Sequence, residues 1–118
     1  MSLGYEVFHS DVNTVVRFYC DVLQFELVPG SWGQSPQYAV VRRGGLRVGC
    51  SEMSGGSLVG RRPPNGSEIV LRVDDVHAMY ARVKELGWPL ADELATRPWG
   101  MTDFRLFDPT GQYIRVTD

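Results

Sequence analysis

The same order of elements is written twice along this chain, once in each half. A short aromatic and β-branched run, Tyr5 to His9 (Y-E-V-F-H), precedes Asp11 and a helical pattern, and strand-like runs closed by a hairpin follow. The second half starts again with E-I-V-L-R-V (68–73), then Asp74-Asp75 and a helical pattern from Val76 to Leu86, then further strands and a second hairpin. Asp11-Val12 and Asp75-Val76 stand at equivalent points, as do the Gly44-Gly45 and Asp108–Gly111 turns. A repeat with a period of about half the chain restricts the fold to a tandem of two similar α+β units. With 118 residues there is material for one domain and one core. The expected organisation is therefore a single domain with module one over about 4–51, a linker over 52–66 and module two over about 67–118.

Local signals fill in each half. Asp11 offers an N-cap for V-N-T-V-V-R-F-Y-C-D-V-L-Q, in which Asn13, Arg17, Asp21 and Gln24 form one polar stripe. Val15, Val16, Phe18, Tyr19, Cys20, Val22 and Leu23 cover most of the remaining surface, an arc wider than one sheet face requires. That width predicts a helix covered on more than one side. F-E-L-V-P (25–29) and Q-Y-A-V-V-R (37–42) read as strands around the turn-rich G-S-W-G-Q-S-P (30–36). Gly44-Gly45 marks a hairpin, and residues 52–66, rich in Gly, Pro, Ser and Asn, read as a linker or a loop over a site. In the second helix Val76, Met79, Tyr80, Val83 and Leu86 form the apolar stripe and Gly87 ends it. A weak strand near 90–94, a loop through P-W-G (98–100), D-F-R-L-F (103–107), the turn D-P-T-G and Q-Y-I-R-V-T (112–117) complete the second half.

Composition closes off several functions. Hydrophobic residues make up 43% and charged residues 22%, an ordinary globular balance with no apolar run long enough for a membrane span. Nothing at the N-terminus pairs a basic stretch with an apolar core, so a cytoplasmic protein without a secretory signal is expected. A net charge of −2 argues against nucleic acid as a partner and suits a neutral or cationic ligand slightly better than an anionic one. Cys20 and Cys50, without C-x-x-C spacing, read as reduced and buried.

The words themselves add a resemblance. D-V-x-x-V-V-x-F-Y-x-x-V-L-x-F (11–25) resembles the strand–helix entry of the vicinal oxygen chelate superfamily, and D-P-T-G-Q (108–112) resembles its closing hairpin. The superfamily includes glyoxalase, extradiol dioxygenases and the bleomycin resistance proteins. P-W-G-M-T-D-F-R-L-F-D-P-T-G-Q-Y-I-R-V and Y-A-V-V-R-R-G-G-L-R-V are most similar to the bleomycin resistance branch. The resemblance spans about residues 5 to 117 and implies an α+β fold: tandem βαβββ modules forming a curved eight-stranded sheet cup. There are departures: Gln24 stands where the pattern usually has Gly, Gln112 replaces a common family residue, and Pro29 stands where some resistance proteins have an aromatic wall.

Enzymes of that superfamily hold a divalent metal in the cup, where it polarises substrate oxygens as a Lewis acid. The resemblance places the ligand positions at Gly4, Glu68 and Arg115. Gly4 has no donor, and a guanidinium stays protonated without a lone pair to offer, so only Glu68 could ligate. His9 and His77 lack metal-ligand spacing, and no G-x-S-x-G or Cys–His signal marks a nucleophile. No catalytic residue, metal or cofactor is therefore expected. Glu68 and Arg115 should instead pair, because a buried unpaired charge is costly. The remaining candidates are aromatic: Trp32 in a Gly/Ser/Pro-rich loop, Tyr38 on a strand, and Trp99, whose counterpart in the resistance branch lines a drug crevice. Trp99 could equally pack its loop onto the sheet; Trp88, after Gly87, reads as a core or capping residue. The expectation is a metal-independent binding protein for a planar or amphipathic ligand, with Trp32, Tyr38, Trp99, Glu68 and Arg115 at the site of a homodimer crevice. The alternatives are a metal-dependent glyoxalase- or dioxygenase-like enzyme and a ligand-sensing module.

Overall fold

A computed structural model describes residues 5–34, 37–52 and 68–118. Gly4 and nearly all of the 52–66 segment lie outside these residues. The chain divides into two compact units, residues 1–58 and 59–118.

In the first unit, strand β1 (Glu6–His9) leads to Asp11, whose carboxylate accepts from the Asn13 backbone N–H (3.1 Å) and from the Thr14 hydroxyl (2.9 Å). These bonds satisfy donors that an opening helix leaves unpaired, and α1 (Val12–Arg17) begins there. The expected α-helix does not run on to Gln24. It passes into a π-helical turn over Phe18–Val22, then reverses through Gln24, which adopts φ +62°. The Phe25 N–H bonds back to the Tyr19 carbonyl at 2.9 Å, closing the helix end. Gln24 thus occupies a left-handed position that favours glycine, which accounts physically for the glycine usual there in the motif.

The wide apolar arc has its explanation in the same place. A π turn lengthens each hydrogen-bonded ring by one residue and shifts the buried stripe around the axis. Val12, Val15, Val16, Phe18, Tyr19, Val22 and Leu23 are all buried within the single chain, and the stripe Asn13, Arg17, Asp21 and Gln24 is exposed. The arc therefore leaves nothing on this helix for a second copy to cover. Cys20, in the π turn, is only half-buried where burial was expected; Cys50 is buried, and neither cysteine is in a disulfide.

Strands β2 (Glu26–Leu27), β3 (Gly33–Gln34), β4 (Gln37–Arg43) and β5 (Leu46–Glu52) complete the unit in the order β1-β5-β4-β2, with β3 also on β4. Strand β3 falls in the stretch expected to be all turn. β1 runs parallel to β5 and the other pairs are antiparallel. Val7, Ala39, Val41, Val48 and Cys50 are buried on the face toward α1, and Glu6, Tyr38, Arg47 and Ser51 alternate onto the other face.

The second unit repeats the plan. Strand β6 (Ile69–Arg72) precedes Asp75, whose carboxylate accepts from the Ala78 N–H at 3.0 Å and starts α2 (Val76–Glu85). Gly87, at φ +74°, ends it. Val76, Met79 and Val83 are buried and Tyr80 is half-buried, but Leu86, at the C-cap, is 51% exposed rather than part of the buried stripe. Strands β7 (Leu90–Thr96), β8 (Thr102–Phe107) and β9 (Tyr113–Thr117) follow in the sheet order β6-β9-β8-β7, with β6 parallel to β9. The buried Asp108 shapes the last turn, accepting from the Thr110 N–H (2.7 Å), the Thr110 hydroxyl (2.6 Å) and the Gln112 N–H (2.9 Å). Ile69, Phe104, Leu106, Ile114 and Val116 form the core of this sheet. The second half is thus a βαβββ unit, and the first has the same order with the short β3 added, the α+β architecture expected from the repeat. No helix among the described residues is long and apolar enough to cross a membrane.

Candidate functional site

Strand alternation sends Asp103, Arg105 and Phe107 of β8, and Tyr113, Arg115 and Thr117 of β9, to the face opposite the Phe104/Ile114 core. Arg115 faces Arg105 across β8–β9 and Val70 across β6–β9. Glu68, one residue before β6, reaches this face as well: its Oε1 lies 3.0 Å from Arg115 Nη2, with the two side chains 29% and 25% exposed. The expected carboxylate–guanidinium contact is therefore formed. Arg115 Nε is shielded from solvent and has no hydrogen-bond acceptor. Leaving a buried donor unsatisfied costs about 1–3 kcal/mol.

Beside it lies a charge network that sequence reasoning missed. Asp103 is fully buried; its Oδ1 accepts from Arg97 Nε (3.0 Å) and Arg105 Nε (3.3 Å), and Arg97 Nη2 makes an ion-pair contact with it at 2.8 Å. Arg97 Nη2 also meets Asp92 Oδ2 at 3.2 Å. Burial alone would push the Asp103 carboxyl up, but hydrogen bonds from Arg105 and Arg97 outweigh it and hold the group below the usual carboxylate range. Arg105 gains a further partner in the Tyr113 hydroxyl (3.5 Å); that bond, with Asp103, outweighs burial and raises the guanidinium pKa further.

The corresponding face of the first unit is also polar. Glu6 accepts from the Tyr38 hydroxyl (3.2 Å) and the Ser51 hydroxyl (3.3 Å). Gly49 pairs with Glu6 across β1–β5, and a Cβ there would sit 2.8 Å from the Tyr38 hydroxyl oxygen, so the glycine is what lets Tyr38 reach over. Burial, then the Glu6 charge, raise the Tyr38 phenol above its ordinary value. Trp32 is half-buried and precedes Gly33, the partner of Tyr38 across β3–β4. Period-two alternation in Y-E-V-F-H was the available signal for Glu6.

Trp99 sits in the β7–β8 turn, where the Gly100 N–H bonds the Arg97 carbonyl (2.9 Å) and the Arg97 N–H bonds the Met101 carbonyl (2.7 Å). Pro98 and the left-handed Gly100 (φ +95°) fix that turn. The ring is 59% exposed, so it does not pack its loop onto the sheet. Trp88 behaves as expected of a capping residue: it is half-buried and its indole N–H donates to the Phe107 carbonyl at 2.9 Å. The structure thus joins Glu68 to Arg115 and sets Trp32 beside the strand that pairs with Tyr38, with Trp99 on a turn of its own.

The motifs, the twice-repeated order of elements and this geometry agree with a family model, that of the Glyoxalase/Bleomycin resistance protein/Dioxygenase superfamily, which matches residues 4–116. The chain belongs to this superfamily. Solved structures with the same fold include TioX from Micromonospora sp. ML1 (20% identity, TM-score 0.76, covering 99% of this chain and 97% of that one). A protein of unknown function from Agrobacterium tumefaciens str. C58 is similar at 23% identity, with a TM-score of 0.75 and coverage of 99% and 93%. UcmS2 is similar at 18% identity, with a TM-score of 0.71 and coverage of 100% and 98%. Identities this low speak to the shared fold alone. Among curated proteins none matches this sequence.

The superfamily's enzymes imply a metal, and the donor set here does not fit one. Glu68 is engaged by Arg115, which cannot ligate, and Gly4 has no side chain to offer. His9 is also engaged, its Nδ1 accepting from the Asp11 N–H at 2.9 Å, and His77 is exposed on α2. Among the described residues no three His, Cys, Asp or Glu side chains come together in a way that could hold an ion.

Proposed function

We propose that this member of the superfamily binds a planar or amphipathic small molecule without a metal, in the manner of the bleomycin resistance proteins, in a crevice completed by a second copy of the chain. The observation that carries this reading is the Glu68–Arg115 pair, at two of the positions where the superfamily's enzymes hold their metal. A guanidinium there supplies a permanent charge and hydrogen-bond donors, and no Lewis acid. The exposed Trp99 ring on a turn fixed by Pro98 and Gly100 supports it, since a ring face gives large contact area with few torsions to freeze. Trp32 and Tyr38 are further aromatic candidates, on the first unit. Modules 4–51 and 67–118 act as one domain joined by 52–66, in a cytoplasmic protein whose role is drug resistance. The alternative, a metal-dependent glyoxalase- or dioxygenase-like enzyme, would have to find its donors beyond Glu68.

The test is ligand binding by chelator-treated protein across a panel of planar heteroaromatic compounds. Trp99→Ala should weaken binding by about 1–3 kcal/mol, the scale of an aromatic anchor. Trp88→Ala should mainly lower stability. Equal binding by both variants, with Trp99→Ala only melting earlier, would overturn the reading.

A further inference from the structure

Most polar groups on the β6–β9 face already have partners. Asp103 is saturated by Arg97 and Arg105, and Arg105 divides its donors between Asp103 and the Tyr113 hydroxyl. Arg115 differs. One nitrogen, Nη2, meets Glu68, and Nε is hidden from solvent with nothing to accept its proton. A guanidinium that has given up water at one edge without gaining an acceptor gains a hydrogen bond when an incoming oxygen displaces what covers that edge. The residue opposite it across β8–β9 is a second arginine, Arg105, and like charges facing one another across a ladder repel. Each of the two already has a carboxylate, Asp103 for Arg105 and Glu68 for Arg115, so what an incoming oxygen adds is a partner for Arg115 Nε. Phe107 and Tyr113, with rings 5.5 Å apart, lie at the neighbouring cross-strand pair on the same face.

We infer that the ligand is an aromatic acid, with a carboxylate or comparable oxyanion that accepts from Arg115 Nε in competition with Glu68. This rests on the proposed small-molecule binding role and specifies its chemical class. It also reverses the lean toward neutral or cationic ligands given by the net charge, because the local donors, rather than the whole-chain sum, decide what this face accepts. Glu68 then acts as the occupant of Arg115 in the free protein, keeping part of the guanidinium paired until the ligand arrives.

Sodium 2-naphthoate and the neutral, nearly isosteric 2-naphthamide separate the possibilities. Each is titrated into 15N-labelled protein, following the arginine Nε–H signals, with the Arg115 signal assigned by its loss in Arg115→Lys. The expected result is a shift of the Arg115 Nε–H with naphthoate alone, and naphthoate affinity at least about tenfold above that of the amide. Arg115→Lys should bring the two ligands to the same affinity. Glu68→Gln, which leaves the arginine in place, should strengthen naphthoate binding several-fold by removing its competitor. If acid and amide bind equally while the Trp99 indole signal responds to both, the aromatic-ligand reading stands and the acid inference is overturned. Weaker naphthoate binding in Glu68→Gln also overturns it. If neither compound moves Trp99 or Arg115, both readings fail together.

Discussion

Asp103 is a carboxylate whose pKa burial alone would push up, yet hydrogen bonds and charge from two arginines hold it below the usual range. Its folded value lies below the unfolded one of about 3.9, so its stabilising contribution is complete above that pH. The contribution is lost as pH falls through the lower folded value. Asp103→Asn should therefore cost about 3 kcal/mol at neutral pH, the scale for stranding buried charges when one partner is removed. The variant's stability should also fall less steeply than the parent's as the pH drops below about 4, which urea unfolding across pH would measure. Undiminished stability in Asp103→Asn would mean that the arginines find other partners. The Glu68–Arg115 contact was legible because the superfamily resemblance puts its ligand positions at fixed offsets from the helix cap, here Asp75, and from the closing turn, here Gly111. The Asp103 network was not. Arg97 lies just past β7, whose pairing with β8 slips on both sides of Asp92, and a bulged strand no longer tells by alternation which face a side chain takes.

At the scale of elements, the first helix shows most clearly what a pattern can and cannot convey. Its cap, its polar stripe and its buried residues follow from D-V-N-T-V-V-R-F-Y-C-D-V-L-Q. Its division into an α-helical segment and a π turn does not, because the regular spacing assumed in reading an apolar arc is what the π turn breaks. The excess width of the arc was the trace of that turn. Gln24 closes the element at φ +62°, a conformation that costs an ordinary side chain roughly 1–2 kcal/mol. Gln24→Gly removes that strain and makes the unfolded chain more flexible, an offset of about 0.4–1 kcal/mol. The net expectation is a gain of about 0.5–1 kcal/mol, seen as a higher urea midpoint with unchanged slope. A loss of stability would show that the Gln24 side chain contributes more than its backbone costs. Strand β3 escaped notice for a simpler reason: Gly33 and Gln34 have little strand preference, and what makes them a strand is Gly33 pairing with Tyr38.

Across the whole molecule, the repeat conveyed the architecture and only part of the site. Aligning Asp11 with Asp75 makes Glu6 equivalent to Val70, and the parallel pairs Glu6–Gly49 and Val70–Arg115 then make Gly49 equivalent to Arg115. One unit therefore carries a carboxylate and a phenol where the other carries a guanidinium, so the two faces have diverged chemically on a common plan. Exposed Phe8 and Val70, on the edge strands β1 and β6, are apolar surface for which a partner chain is a natural cover. Light scattering at micromolar concentration should accordingly give the mass of two chains, and a mass near one chain would rule the shared crevice out. The most direct measurement is the divalent metal content of protein purified without chelator or added metal, followed by melting with zinc or manganese present. An ion pair in place of a metal predicts no stoichiometric metal and the same melting temperature with or without it, in both the parent and Glu68→Gln. A stoichiometric ion that stabilises the parent and is lost in Glu68→Gln would contradict it.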